Sequence, residues 1–161
     1  MKLIHLLCSL SPLKALSSFM HQLIYTSRAT FALMDDDLLA LLRWSRQWNE
    51  KEGVTGVLLY GDAQFVQVIE GSKEKVEYLY GHIIHDRRHY DLTELAYGPV
   101  TMRRFTQWTM GFHAATSEHL AQVRGYFDPE QLTLHNHSLS ARDELLFDLL
   151  QGFVQSSVSR W

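Results

Sequence analysis

Four polar side chains fall where their neighbours call for apolar ones: Tyr25, Ser45, Asn49 and Gln67. Tyr25 shares a strand face with Leu23, and Gln67 interrupts the row Phe65, Gln67, Ile69. Ser45 and Asn49 continue a helical stripe that begins with Leu38 and Leu42, at spacings of four, three and four. A buried amide left unsatisfied costs about 1–3 kcal/mol, so these groups need partners. A phenol, two amides and a hydroxyl make neither a proteolytic triad nor a metal cluster. They are donors and acceptors suited to a flat heteroaromatic ring with several polar edges, held between apolar walls. Each also has a plainer reading: Tyr25 as a core aromatic, Gln67 as an edge residue, Asn49 as a helix cap. The set says more than any member of it.

The elements that must position these groups can be read from pattern. His21 to Thr26 alternates as a strand, and Asp35-Asp36-Asp37 caps a helix running to about Lys51, with Gly53 as its stop. Val54 to Tyr60 and Phe65 to Glu70 form a hairpin across Gly61-Asp62-Ala63-Gln64. Val76, Leu79, Tyr80, Ile83 and Ile84 mark a second helix that follows Gly71 and ends near His85. A fourth strand is expected within Asp91 to Val100 and a fifth within Thr106 to Phe112, where Trp108, Met110 and Phe112 would line up together. The fold class is therefore α+β, a ferredoxin-like βαββαββ sheet with two helices on one face. The other face would carry Ile24, Val66 and Val68, too apolar for water. The stripe Leu145, Leu146, Leu149, Leu150, Phe153 and Val154 supplies C-terminal helices as its cover, with Ser140 ahead of Asp143 as a capping start. A shorter helix is expected between Thr116 and Gly125.

Composition narrows the function classes. At 161 residues the chain fits one domain, and a net charge of −3 with scattered Lys and Arg argues against a nucleic-acid module. The pairs Arg87-Arg88 and Arg103-Arg104 are too small for an electrostatic footprint. One cysteine, Cys8, excludes an internal disulfide and a Cys-based zinc site, which fits a reducing, cytoplasmic setting. The nine histidines are scattered, and His135-Asn136-His137 lacks a third ligand, so no metal is expected. Lys2 and the apolar run Leu3 to Leu10 resemble a short signal peptide, too short to span a membrane. The reading adopted is an extension, residues 1–19, ahead of a working start at Met20.

The ordered pieces resemble the BLUF family, sensors of blue light using FAD. They are Leu-Ile-Tyr-Thr-Ser-Arg-Ala from Leu23, Trp48-Asn49, Gly53 to Tyr60, and Phe65-Val66-Gln67-Val68-Ile69-Glu70-Gly71. Asp86-Arg87-Arg88-His89 and Arg104 to Phe112 complete a match over residues 21 to 112. The resemblance implies FAD between the two helices, with Asn49 and Gln67 on the isoalloxazine; Ser45, on the same helical stripe as Asn49, is a further expected cofactor contact. Asp86, Arg88 and His89 would lie near the ring edge or the phosphate and ribose arm. It implies light-driven proton-coupled electron transfer from Tyr25 by way of Gln67. The result is a rearranged hydrogen bond to the flavin and a small red shift, with Trp108 and Met110 as signalling residues. Trp48 departs from the His or Asn often found there and is expected to alter stacking on the flavin.

Nothing after residue 112 is long enough for a cyclase or phosphodiesterase, so the expected output is contact with an unidentified downstream protein rather than catalysis. No nucleic-acid or membrane partner is expected, and a homo-oligomer is left open. The implied division is residues 1–19, a flavin-binding domain over 20–113 and a helical cap over 114–161. Two other readings compete. An acylphosphatase-like hydrolase would use Arg28 and Asn49, but no glycine-rich anion cradle stands beside Arg28. A flavin-free adaptor on the same fold would have little reason to keep both Tyr25 and Gln67.

Overall fold

The computed structural model describes residues 20–125 and 139–157. In chain order these form β1 (Met20–Ala29), α1 (Asp35–Glu52), β2 (Thr55–Gly61), β3 (Gln64–Ser72), α2 (Lys73–Ile83) and β4 (His89–Val100). They continue as β5 (Gly111–Ala114), α3 (Ser117–Gly125) and α4 (Leu139–Ser157). The expectations for residues 1–19, for His135 and His137, and for the side chains of Ser140, Asp143 and Leu145 lie outside the described residues. Among the described residues no helix is long and apolar enough to cross a membrane.

The sheet runs β4-β1-β3-β2-β5, antiparallel except for the parallel β2–β5 pair. This is the expected ferredoxin-like order, with β5 as the added strand. The β2–β3 hairpin turns on Asp62 and Ala63, both at positive φ (49° and 54°), as the twist of a two-residue turn demands. Gly56 is required for a different reason: a Cβ there would lie 2.1 Å from the Val68 carbonyl oxygen of the neighbouring strand.

Strand alternation sorts the core into two layers. Ile24, Val57, Leu59, Val66 and Val68 face α3 and α4, where Leu120, Val123, Leu146, Phe147, Leu150 and Val154 cover them. The apolar face inferred from sequence is thus covered by the tail stripe, and Leu149 and Phe153 pack at its margin. Leu23, Tyr25, Val54, Ile69, Val76 and Leu79 pack on the other face, beside a cluster holding Leu38, Leu42, Leu58, Phe65, Met110 and Phe112.

The main correction concerns the fifth strand. It covers Gly111–Ala114, not Thr106 to Phe112, and residues 101–110 run as turns and bends. Their backbone bonds go to other parts of the molecule. Arg104 and Phe105 donate their N–H groups to the Glu70 carboxylate at 3.0 Å, and the Trp108 carbonyl accepts from Gly56 N at 3.1 Å. Without strand alternation, Trp108 and Met110 do not share a face. Met110 enters the cluster with Phe112, whereas Trp108 packs with Phe105 on the α4 side.

Candidate functional site

Tyr25 and Gln67 are register partners on β1 and β3, and both are buried. Direct opposition brings the phenol to the amide, and Tyr25 Oη donates a short hydrogen bond to Gln67 Oε1. The other end of the amide, Nε2, donates to Met110 Sδ at 3.6 Å. Gln67 therefore spends its acceptor on one neighbour and a donor on another, and every change in its orientation is felt by both. Burial, with Tyr80 and Asp86 nearby, pushes the Tyr25 phenol well above its ordinary range. It stays a donor.

Helix α1 brings in the third group. Its end is closed by Gly53 in the left-handed conformation (φ 66°), whose N–H bonds the Asn49 carbonyl oxygen; Val54 N donates to that oxygen at 2.8 Å. The backbone of Asn49 thus takes the capping role while its side chain is left for other work. That side chain is buried, and its Nδ2 donates to the Thr109 carbonyl oxygen. One turn earlier, Arg46 Nε donates to the Met110 carbonyl oxygen at 3.0 Å. Two α1 side chains therefore grip the strand-entry segment beside Met110.

Between α1, α2 and the sheet lies a cavity of about 220 Å³. Tyr25, Ser45, Asn49, Gln67, Asp86, Arg88, His89 and Met110 all line it, so the sequence candidates converge on one space; Trp108 does not reach it. The Arg88 backbone N and Nε donate to Asp86 at 2.9–3.0 Å, and this pair holds the Asp86 carboxyl below its usual range. Half of the Arg88 side chain remains exposed. His89 is committed on both nitrogens, Nε2 donating to the Ile83 carbonyl at 2.8 Å and Nδ1 meeting Ser27 Oγ at 2.9 Å. It braces the wall between β1 and α2. Trp48 is a correction: it stacks on Tyr78 at 6.1 Å and 9°, away from the cavity lining, so the expected effect on flavin stacking has no contact to act through. Arg28 pairs with Asp91 at 3.4 Å and does not line the cavity, so the Arg28–Asn49 hydrolase site is not assembled.

Sequence reasoning missed much of the wall. Phe31, Leu33, Asp37, Ala40, Leu41 and Trp44 line the cavity from the α1 side. The helical part was detectable, since 37, 41, 45 and 49 recur every four residues and 40 and 44 flank them. Phe31 and Leu33 sit on an irregular connection that carries no periodic signal. Phe31 and Trp44 are more than half exposed although they line it, which leaves apolar surface at the mouth.

The donor set fits a flavin. Apolar walls from Leu41, Leu58, Phe65, Leu79 and Ile83 suit a flat ring, and Ser45, Asn49 and Gln67 offer donors and acceptors to its polar edges. Asn49 keeps a second N–H and its carbonyl oxygen beyond the bond to Thr109. Arg88 sets a cation beside the same space, as a phosphate-bearing arm requires.

Comparison with known proteins points the same way. Residues 20–111 match the family model described as BLUF, sensors of blue light using FAD. The chain is 35% identical over 140 residues to the photoactivated adenylate cyclase subunit beta of Euglena gracilis, covering 86% of this chain and 15% of that protein. It is 40% identical over 57 residues to the blue light- and temperature-regulated antirepressor BluF of Escherichia coli (strain K12), covering 35% of this chain and 14% of that one. Among solved structures, BlrB, a BLUF protein in its dark state, superposes with a TM-score of 0.60 at 32% identity, covering 71% of this chain and 90% of BlrB. The photo-activated state of BlsA superposes with a TM-score of 0.63 at 26% identity, covering 81% of this chain and 94% of BlsA.

Proposed function

This chain belongs to the BLUF family of sensors of blue light using FAD, and from that premise we propose that Tyr25 and Gln67 are its photochemical pair. The single observation that carries the reading is the buried bond from the Tyr25 hydroxyl to Gln67 Oε1, between two residues that line the cavity. FAD supplies a blue-absorbing ring that becomes a strong oxidant when excited. Ser45, Asn49 and Gln67 would hold its polar edges, with Asp86, Arg88 and His89 at the outer side of the same cavity.

Tyr25 holds its proton at the hydroxyl in the dark, and burial keeps it there. Gln67 is the element with two settings. With Oε1 towards the phenol, its Nε2 reaches Met110 Sδ; an amide turned over points its NH2 at the phenol and its oxygen at the sulfur, and so changes both contacts together. Met110 then senses the setting and passes it one residue along, into β5. At Gly111 a Cβ would stand 3.2 Å from Val154 Cγ1, so β5 and α4 are in direct packing contact. Trp108 touches the same α4 side through Phe105, whose ring meets Phe147 at 5.6 Å.

The output in this proposal is contact with another protein, made differently in the two states of the α4 cap. The sensor module is residues 20–113, and 114–161 is its cap. The chain spans about 15% of the length of the cyclase subunit it resembles. A cyclase name there describes that protein. A reducing, cytoplasmic setting is part of the same proposal, resting on the single cysteine, Cys8.

The test is one spectrum. Purified protein should be yellow, and blue light should move its visible absorption to the red, reversibly in the dark. A colourless protein that gains no colour from added FAD, or a yellow one that bleaches without a red shift, would refute the reading.

A further inference from the structure

Glu70 is buried with no exposed surface, yet neither the cavity nor the Tyr25–Gln67 pair uses it. Strand alternation on β3 explains the separation: Gln67 faces the cavity, and Glu70, three residues on, faces the α4 side. Its two oxygens receive Gln22 Nε2 at 3.0 Å, the backbone N–H groups of Arg104 and Phe105 at 3.0 Å, and Thr55 Oγ1 at 3.4 Å. A buried acid needs donors, and two of the four come from one turn of the 101–110 connection. Arg103 reinforces the same corner, with Nη1 donating to the Glu70 carbonyl at 3.1 Å and to Thr55 Oγ1 at 2.9 Å.

The connection is thus held at two ends. Its far end is held by cavity-lining groups: Asn49 on the Thr109 carbonyl, and Gln67 on Met110 Sδ. Its near end is held by Glu70. That near end also carries the grips on the cap: Gln151 Nε2 donates to the Arg104 carbonyl at 3.0 Å, and Phe105 meets Phe147. With the near end anchored, a displacement at Met110 loads the residues that grip α4. With the near end loose, the same displacement is absorbed in the turns.

We propose that Glu70 is a positioning residue for signal output, the pivot that anchors Arg104 and Phe105 on α4 so that a change at Met110 is delivered to the cap rather than absorbed in the connection. This rests on the photochemical reading above, and its test is separable from it. Glu70→Gln keeps the shape but removes the charge and leaves one acceptor oxygen for four donors, which loosens the near end.

The experiment measures two signals on flavin-loaded full chain: the red shift under blue light, and the light-minus-dark difference in hydrogen exchange of α4 amides. Wild type should show both; no red shift in wild type would count against the photochemical reading, whereas a red shift with no α4 difference would overturn the pivot. In Glu70→Gln the red shift should persist in size while the α4 difference is lost. Persistence of both overturns the proposal, and so does loss of the red shift with flavin still bound, because Glu70 would then act on the cavity itself. If Glu70→Gln yields no folded protein, Gln22→Met removes one of the carboxylate's donors and leaves its backbone bonds. There the α4 difference should shrink with an unchanged red shift, and an undiminished α4 difference overturns the pivot. Restoration of the α4 difference by Glu70→Asp, which keeps both acceptors, is the expected rescue, and no restoration counts against the assignment.

Discussion

The two faces of one sheet are built to opposite rules. The face under α3 and α4 is filled mainly by aliphatic and aromatic side chains, with Val57, Leu59, Val68, Leu120 and Leu150 wholly enclosed and its few polar groups, Glu70 among them, fully bonded. The face under α1 and α2 places a phenol and two amides among its apolar residues and leaves a cavity of about 220 Å³ beside them. Both come from the same strands, because successive residues of β1 and β3 point to opposite sides. Ile24 beside Tyr25, and Val66 beside Gln67, show the division at single-residue resolution. One face stores stability, and the other, on the photochemistry proposed above, stores a choice between hydrogen-bond arrangements. Substitutions should therefore separate the two properties.

The largest effect expected is all-or-none. Tyr25→Phe and Gln67→Leu should each keep flavin and lose the red-shifted state, with chemical denaturation midpoints close to wild type; a normal photocycle in either would break the contrast at its functional side. The other face should behave in reverse. Leu150→Ala removes a fully enclosed side chain and should cost about 2–5 kcal/mol in urea unfolding, while the surviving folded fraction keeps its red shift. An intermediate case sharpens the comparison. Asn49→Ala deletes both the grip on Thr109 and a group on the cavity wall, so flavin-to-protein absorbance should fall, by about tenfold in affinity for a loss near 1.4 kcal/mol.

The smallest effect concerns pH. His113 on β5 meets His119 of α3 at 3.0 Å and stacks on Phe153 of α4. Burial, then the neighbouring His119, lowers its pKa. The unfolded chain therefore binds a proton more readily than the folded one, so this stability is present above the ordinary histidine pKa and lost as pH falls through the folded value. The dark-state melting temperature should drop slightly between pH 7.5 and pH 5.5, and His113→Gln should flatten that drop.

Much of this contrast was legible in the sequence because it is periodic. Period two on β1 and β3 gave the opposed faces, and spacing of three and four gave Leu38, Leu42, Ser45 and Asn49. The pairing of Tyr25 with Gln67 follows from the antiparallel register of two such strands. What stayed hidden lacks a period. The alternation of Trp108, Met110 and Phe112 imitates a strand, but residues 101–110 satisfy their backbone through Glu70, Arg46, Asn49 and Gly56, partners 34 to 64 positions away. Trp48 went to Tyr78 because the outer side of α1 meets α2, which pattern alone does not reveal. Glu70 reads in sequence as the polar end of an apolar strand; only the returning chain makes it a buried acceptor.

That α4 follows the whole sheet in chain order has a consequence during synthesis. The strands and helices that enclose the cavity leave the ribosome by Ala114, whereas Leu146 to Val154 follow later. At 5–20 residues per second the interval of roughly forty residues lasts roughly 2–8 seconds. For that time the nascent sheet carries a finished cavity on one side and, without α4, incompletely covered Val57, Leu59, Val66 and Val68 on the other. A chain stopped after Ala115 should bind a hydrophobic dye that the full chain excludes. Translation itself thus passes through a form that is ready for chromophore and exposed to aggregation at once.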